Sequence, residues 1–195
     1  MTVATRKLTF EEYLTYDDGT GTRYELVNGE LVPMAVGTGK HGAIIEFLNE
    51  QFKDAAKSEN QPWTSKDTKI AVRSPRGGRW DTARIPDVTV LSIAQWEAMQ
   101  EREAVIELNS PPPILVVEVV SESTASTDYR AKYTEYTVLD ILEYWIVDPL
   151  AATVTICQLN EGRYDDAVFT GEMAIVSAIF PTLKLTATQV LAGKL

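Results

Sequence analysis

Apolar and polar positions along the chain predict helices and strands mixed without regular alternation. Residues 9–16 read as a short helix, with Thr9 placed as N-cap and Glu12 three residues on as in a capping box. Tyr24-Glu25-Leu26-Val27 and Glu30-Leu31-Val32 flank Asn28-Gly29, which favours a type I′ hairpin turn. Ile44, Ile45, Phe47, Leu48, Phe52 and Ala55 recur at helical spacing and predict an amphipathic helix over 41–57. Strands are predicted over 68–72 and 86–91, separated by the Pro- and Gly-containing loop 74–78. A short helix over 94–100 leads to a break at Pro111-Pro112-Pro113. Residues 114–120 form an almost continuous apolar run, as in a strand buried on both faces. A helix is predicted over 127–138, capped by Ser126 or Thr127, followed by an apolar run at 142–147 closed by Asp148-Pro149. Strand-like runs at 153–159 and 173–180 and a short helix at 186–192 complete the chain. The mixture argues for an α/β or α+β domain with a mixed central β-sheet, read as an α/β domain spanning 1–195 with flanking helices.

Composition narrows the chemistry. With 45 % hydrophobic and 24 % charged residues the chain has an ordinary globular balance. Its 195 residues can bury a core without a disulfide or zinc staple. The single cysteine, Cys157, excludes an intrachain disulfide and a four-thiolate zinc site, and points to a reducing, cytoplasmic setting. The single histidine, His41, rules out a multi-histidine metal site within one chain. No apolar run reaches the ~18 residues of a membrane span. The net charge of −10 argues against broad nucleic-acid affinity, which comes mainly from Lys and Arg.

Two carboxylates stand out against this background. Glu118 interrupts the run Val116-Val117-Glu118-Val119-Val120, and a buried carboxylate needs a partner, a proton or a metal. Its plainer reading is a strand-end glutamate paired with an arginine or facing solvent. Asp87 follows Pro86 at the start of another apolar strand, where a turn aspartate is common. On neighbouring strands the two could hold a hard divalent cation through oxygen ligands. Lys132 lies one helical turn after Asp128, so a surface i,i+4 ion pair is the simple expectation. The sharper expectation is a helix that returns across the sheet and points Lys132 at the carboxylates, where an ammonium could stabilise phosphate charge.

These residues, in this order, resemble the Uma2 family, restriction-endonuclease-like proteins of the PD-(D/E)XK nuclease superfamily. The resemblance runs through the hairpin 24–32, His41-Gly42, Asp87, the Val-Glu-Val-Val-Ser segment around Glu118, Asp128 with Lys132, Glu143 to Pro149, and Phe180-Pro181-Thr182-Leu183. It implies a restriction-endonuclease-like core with additional N-terminal and C-terminal strands. It further implies a Mg²⁺- or Mn²⁺-dependent endonuclease acting on DNA. Asp87 and Glu118 would be the metal ligands, the Val119 carbonyl a further ligand, and Lys132 the group beside the scissile phosphate. The superfamily pattern puts its lysine two residues after the glutamate, where this chain has Val120, whereas the Uma2-like pattern takes it from the next helix. Leu139-Asp140-Ile141 stands where the family often carries a glycine.

Glu30 and His41 are candidates for an outer role at such a site. Six of the 18 basic residues (Lys66, Lys69, Arg73, Arg76, Arg79, Arg84) fall between 66 and 84, against only Asp67 and Asp81. This segment leads into Asp87, so Arg73, Arg76, Arg79 and Arg84 are candidate phosphate contacts and Trp80 a candidate base-stacking residue. Cutting both strands of a duplex favours a two-fold homodimer. The competing expectations are a nuclease acting on RNA, and a weak or inactive interaction protein that keeps the fold.

Overall fold

Asn28 and Gly29 adopt positive φ values of 51° and 80°, the conformation a type I′ turn requires, and join β1 (Tyr24–Val27) to β2 (Glu30–Pro33). The computed structural model describes residues 6–75 and 81–195. Before the hairpin, α1 (Phe10–Leu14) is closed by the expected capping box between Thr9 and Glu12. After it, α2 (Gly39–Ser58) starts at Thr38, whose hydroxyl accepts the His41 backbone N–H. There follow β3 (Trp63–Asp67), β4 (Ala71–Arg73), β5 (Ala83–Arg84), β6 (Val88–Ser92), α3 (Ile93–Glu97), β7 (Val105–Ile106) and β8 (Leu115–Val119). A π-helical segment, Thr127–Lys132, runs into α4 (Tyr133–Val138), and β9 (Glu143–Asp148), β10 (Thr153–Asn160), β11 (Arg163–Phe169) and α5 (Ala187–Ala192) complete the fold. Among the described residues no helix is long and apolar enough to cross a membrane.

The strands make two mixed sheets. One has the order β11-β10-β9-β8-β6-β3, with β8 and β9 parallel and the other pairs antiparallel. The other has the order β2-β1-β5-β4-β7, with β4 and β7 parallel. Side-chain alternation sends Val88, Val90, Leu115, Val117 and Val119 to one face of the larger sheet, where α2 and α5 pack through Ile44, Leu48, Phe52 and Val190. Val116, Val120, Tyr144 and Ile146 take the opposite face, under Tyr136 of α4. Coverage on both faces is why β8 reads as an apolar run rather than an alternating one. Phe52 is fully buried, edge-on to Trp145 at 5.2 Å and stacked on Phe180 at 5.3 Å between ring centroids. Truncating such a ring to Ala costs about 3–5 kcal/mol.

Three local expectations are corrected. The alternation at 68–72 is broken, because Thr68 turns to a φ of 39° and separates β3 from β4. The helix over 127–138 begins with π-helical hydrogen bonding, and Ser126 makes no side-chain cap bond. The run 173–180 forms no strand beyond an isolated Ala174–Thr186 bridge, and the last long strand is instead β11, paired with β10 through all seven of its residues.

Candidate active site

The larger sheet brings Asp87 and Glu118 together by register. β6 and β8 are antiparallel with Val88 opposite Val117 and Thr89 opposite Val116, so one more step places Asp87 opposite Glu118. The Asp87 carboxylate crosses to the neighbouring strand, where its Oδ2 accepts the Val119 backbone N–H at 2.7 Å. Both carboxylates are almost completely enclosed, Asp87 at 8 % and Glu118 at 3 % exposure.

His41 closes this end of the sheet from the first turn of α2. Its Nε2 lies 3.1 Å from the Val119 carbonyl oxygen and 3.5 Å from Asp87 Oδ2, so one nitrogen touches both oxygens and marks the point on which they converge. Gly37 makes room for the ring, since a Cβ there would lie 2.7 Å from His41 Nδ1. The Asp87 carboxylate raises the imidazole pKa above its usual value, with burial opposing.

Glu118 is held at both oxygens from the facing helix. Lys132 donates to Oε2 at 2.7 Å and the Tyr136 hydroxyl donates to Oε1 at 2.6 Å. Asp128, Lys132 and Tyr136 are spaced four apart, so the π-helical segment and α4 present them along one line. π-Helical turns are rare and collect at functional sites. Asp128 is buried, with one oxygen 3.1 Å from Lys132 Nζ, and Glu25 of β1 approaches the same nitrogen at 3.8 Å. Three carboxylates thus surround one ammonium. Burial lowers the Lys132 pKa, but Glu118, Glu25 and Asp128 outweigh it and hold the ammonium above its usual value. Glu118 is pushed well up, first by burial and then by Asp128, Asp87 and Glu25, against the pull of Lys132. Asp128 is also raised, chiefly by burial. The site therefore carries surplus negative charge and favours uptake of a proton or a cation.

The other described candidates are engaged with other partners. Glu30 is solvent-facing on β2, beside Lys7 at 3.4 Å. Arg73 lies over the Phe10 ring at 4.2 Å and pairs with Glu107 at 3.2 Å and Glu11 at 3.8 Å. Arg84, expected as a phosphate contact, is 1 % exposed and is gripped by Glu135 and Glu25. A guanidinium so enclosed has no face for a phosphate. Arg76, Arg79 and Trp80 fall outside the described residues. Sequence reading missed Glu25, Tyr136 and Glu135, since a glutamate in a hairpin and a tyrosine or glutamate in a helix carry no signal until the fold sets Tyr136 on Glu118, Glu25 beside Lys132 and Glu135 on Arg84. A cavity of about 310 Å³ lies apart from this cluster, lined by Arg73, Ile106, Leu108, Val138, Leu139 and Asp140 among others.

The carboxylate pair on adjacent strands thus meets a helix-borne lysine on one face of the larger sheet, within a mixed α/β fold. The chain has that fold in common with a crystal structure described as a putative nuclease belonging to DUF820 from Anabaena variabilis ATCC 29413. The match has a TM-score of 0.74 and 17 % identity, and covers 96 % of this chain and 99 % of that one. The family model for Uma2, described as putative restriction endonuclease, matches residues 10–188, and the chain belongs to that family. No curated protein matches the chain.

Proposed function

We propose that this chain is a metal-dependent endonuclease that hydrolyses DNA phosphodiester bonds. The observation that carries the reading is the convergence of Asp87 Oδ2 and the Val119 carbonyl on one point, with Glu118 opposite Asp87 and Lys132 on its carboxylate. Among the described residues no three His, Cys, Asp or Glu side chains group as a metal cage. Two carboxylates and a main-chain carbonyl nevertheless fit Mg²⁺ or Mn²⁺. All three donors are hard oxygens, and Mg²⁺ commonly takes only one or two carboxylates and keeps several waters. The surplus negative charge around Glu118 supports the same fit.

When bound, such an ion supplies a Lewis acid and an acidified water. The chain's own residues do the rest. Asp87 is aimed by the Val119 N–H, and Glu118 is fixed by Tyr136. Lys132 brings a permanent positive charge to the edge of the site, where the phosphate's developing negative charge needs it. His41 lies within reach of Asp87 and can hold or pass a proton there. A duplex substrate would call for a two-fold pair of chains.

The test is cleavage of plasmid, single-stranded DNA and RNA with added Mg²⁺ or Mn²⁺, comparing the wild type with Lys132→Ala checked for folding by circular dichroism. Loss of cleavage in the variant is expected, and equal cleavage overturns the assignment. One observation favours the second reading, an inactive interaction protein: Lys132 is only 5 % exposed and already engaged by acidic partners. Mn²⁺ calorimetry separates the two, since a nuclease site shows saturable binding that Asp87→Ala abolishes.

A further inference from the structure

The second sheet is tied to the Lys132 helix by a chain of alternating charge that starts and ends on that helix. Lys132 faces Glu25 at 3.8 Å, Glu25 accepts from Arg84 Nη1 at 3.1 Å, and Arg84 donates to both oxygens of Glu135 at 2.7 and 2.8 Å. Glu135 stands three residues beyond Lys132, so the chain of contacts returns to the helix it started from. Glu25 is the member with most to hold. Its Oε1 also accepts the Ile85 backbone N–H at 3.0 Å, two residues before Asp87. β1 pairs with β5 at Leu26–Ala83, which fixes the Glu25 strand beside Arg84. Glu25 is therefore anchored to the segment that leads to Asp87 while it faces the ammonium that grips Glu118.

We infer that Glu25 is a positioning residue of the candidate active site: its carboxylate, set by Arg84 and the Ile85 N–H, holds the Lys132 ammonium in register with Glu118 and Asp87. The physical case is a competition. Glu118 is the nearest partner of Lys132, at 2.7 Å, yet it is also the carboxylate the proposed chemistry needs. An ammonium held by Glu118 alone would lose its place whenever Glu118 turned to another cation. Asp128 and Glu25 give it two further anchors, one on its own helix and one on the opposite sheet. Of these two, Glu25 is the one bonded, through the Ile85 N–H, to the segment that leads to Asp87. The hairpin is on this account a working part of the site.

The kinetic arm of the test rests on the nuclease reading, and a spectroscopic arm does not. Glu25→Gln keeps the shape and an acceptor for the Ile85 N–H but removes the charge, while Glu25→Asp keeps the charge on a shorter stem. In ¹H–¹⁵N spectra of the whole chain the buried Lys132 ammonium is expected to give a slowly exchanging signal, identified by its loss in Lys132→Arg. Folded Glu25→Gln is expected to shift or broaden that signal and to lose about tenfold or more in kcat at nearly constant KM, as expected for a misplaced group. Glu25→Asp is expected to recover part of both. An unmoved ammonium signal in folded Glu25→Gln overturns the proposal, as does activity within about twofold of wild type. If Glu25→Gln does not fold, the signal in Glu25→Asp decides in the same way. If neither variant folds, Glu25 is purely structural and the proposal fails. A wild-type chain that cleaves nothing refutes the nuclease reading alone, because the ammonium signal still decides the role of Glu25.

Discussion

Arg84 and Glu135 meet in a two-point buried ion pair, with Nε 2.7 Å from Oε2 and Nη2 2.8 Å from Oε1. The guanidinium pKa is raised further by Glu135 and Glu25, in spite of the burial that opposes it. A fork-to-fork pair of this kind satisfies the donors that burial would otherwise strand. Removing one partner leaves the other charge enclosed, at a cost of about 3–5 kcal/mol. Arg84→Ala and Glu135→Ala should each lower the unfolding free energy by that amount in urea. An Arg84→Met and Glu135→Leu double replacement should recover much of the loss, since apolar groups of similar volume need no partner. A double variant no more stable than the singles would contradict the pairing.

Tyr136 offers a cleaner probe of Glu118, because Tyr136→Phe removes a single hydroxyl from a fully buried ring. That hydroxyl donates to Glu118 Oε1 at 2.6 Å. Its loss leaves a buried carboxylate oxygen short of a donor, costing about 1–3 kcal/mol. A donor to the charged form lowers a carboxyl pKa, so without it Glu118, already pushed up by burial, should rise further. The measurement is ¹³C carboxyl NMR titration alongside denaturant unfolding. An unchanged Glu118 titration would show that the hydroxyl does not engage the carboxylate.

The sole histidine makes one titration easy to isolate. The folded-state pKa of His41 lies above its ordinary value because its ring meets the Asp87 carboxylate. A raised folded pKa means that this contact stabilises the protein fully below the unfolded value of about 6.5 and that the contribution fades as pH rises through the folded value. In chelator-containing buffer the imidazole proton resonances should titrate above about 6.5 in the wild type and move down in Asp87→Asn. Equal midpoints in the two proteins would sever the contact.

Legibility in the sequence follows locality. The capping box at Thr9, the Asn28-Gly29 turn and the apolar stripe of α2 are written in adjacent residues and appear where expected. Asp87 and Glu118 stand out because each is a charge at the start or in the middle of an apolar run, and sheet register brings them together, while the helix after β8 carries Lys132 onto Glu118. What could not be read depends on distant partners. Arg84 looked like part of a basic arm, yet Glu135 and Glu25, far along the chain in both directions, enclose it. β11 was missed because Asp165 and Asp166 mask an edge strand whose pairing comes entirely from β10.

The misread run at 173–180 yields the last prediction. Its apolar content is real: Ile175 and Phe180 join the core beneath α2. It is not a strand because its backbone donors are divided: Ile175 N–H goes to the Leu185 carbonyl and Phe180 N–H to the Ser177 hydroxyl, while two at its centre go to one side chain. The buried Glu143 accepts from the Ala178 N–H at 2.8 Å, the Ile179 N–H at 3.3 Å, the Ser177 hydroxyl at 2.7 Å and the Trp145 indole N–H at 2.6 Å. A carboxylate with four donors replaces the sheet ladder these residues would otherwise need. Glu143→Ala strands all four at once, and hydrogen bonds to a charged group contribute about 1.5–3 kcal/mol each when made. The variant should therefore lose at least about 3 kcal/mol, with faster amide exchange at Ala178 and Ile179. Glu143→Gln, which retains one carbonyl acceptor, should fall between it and the wild type. Unaltered exchange at both amides in Glu143→Ala would mean that apolar packing alone holds the segment in place.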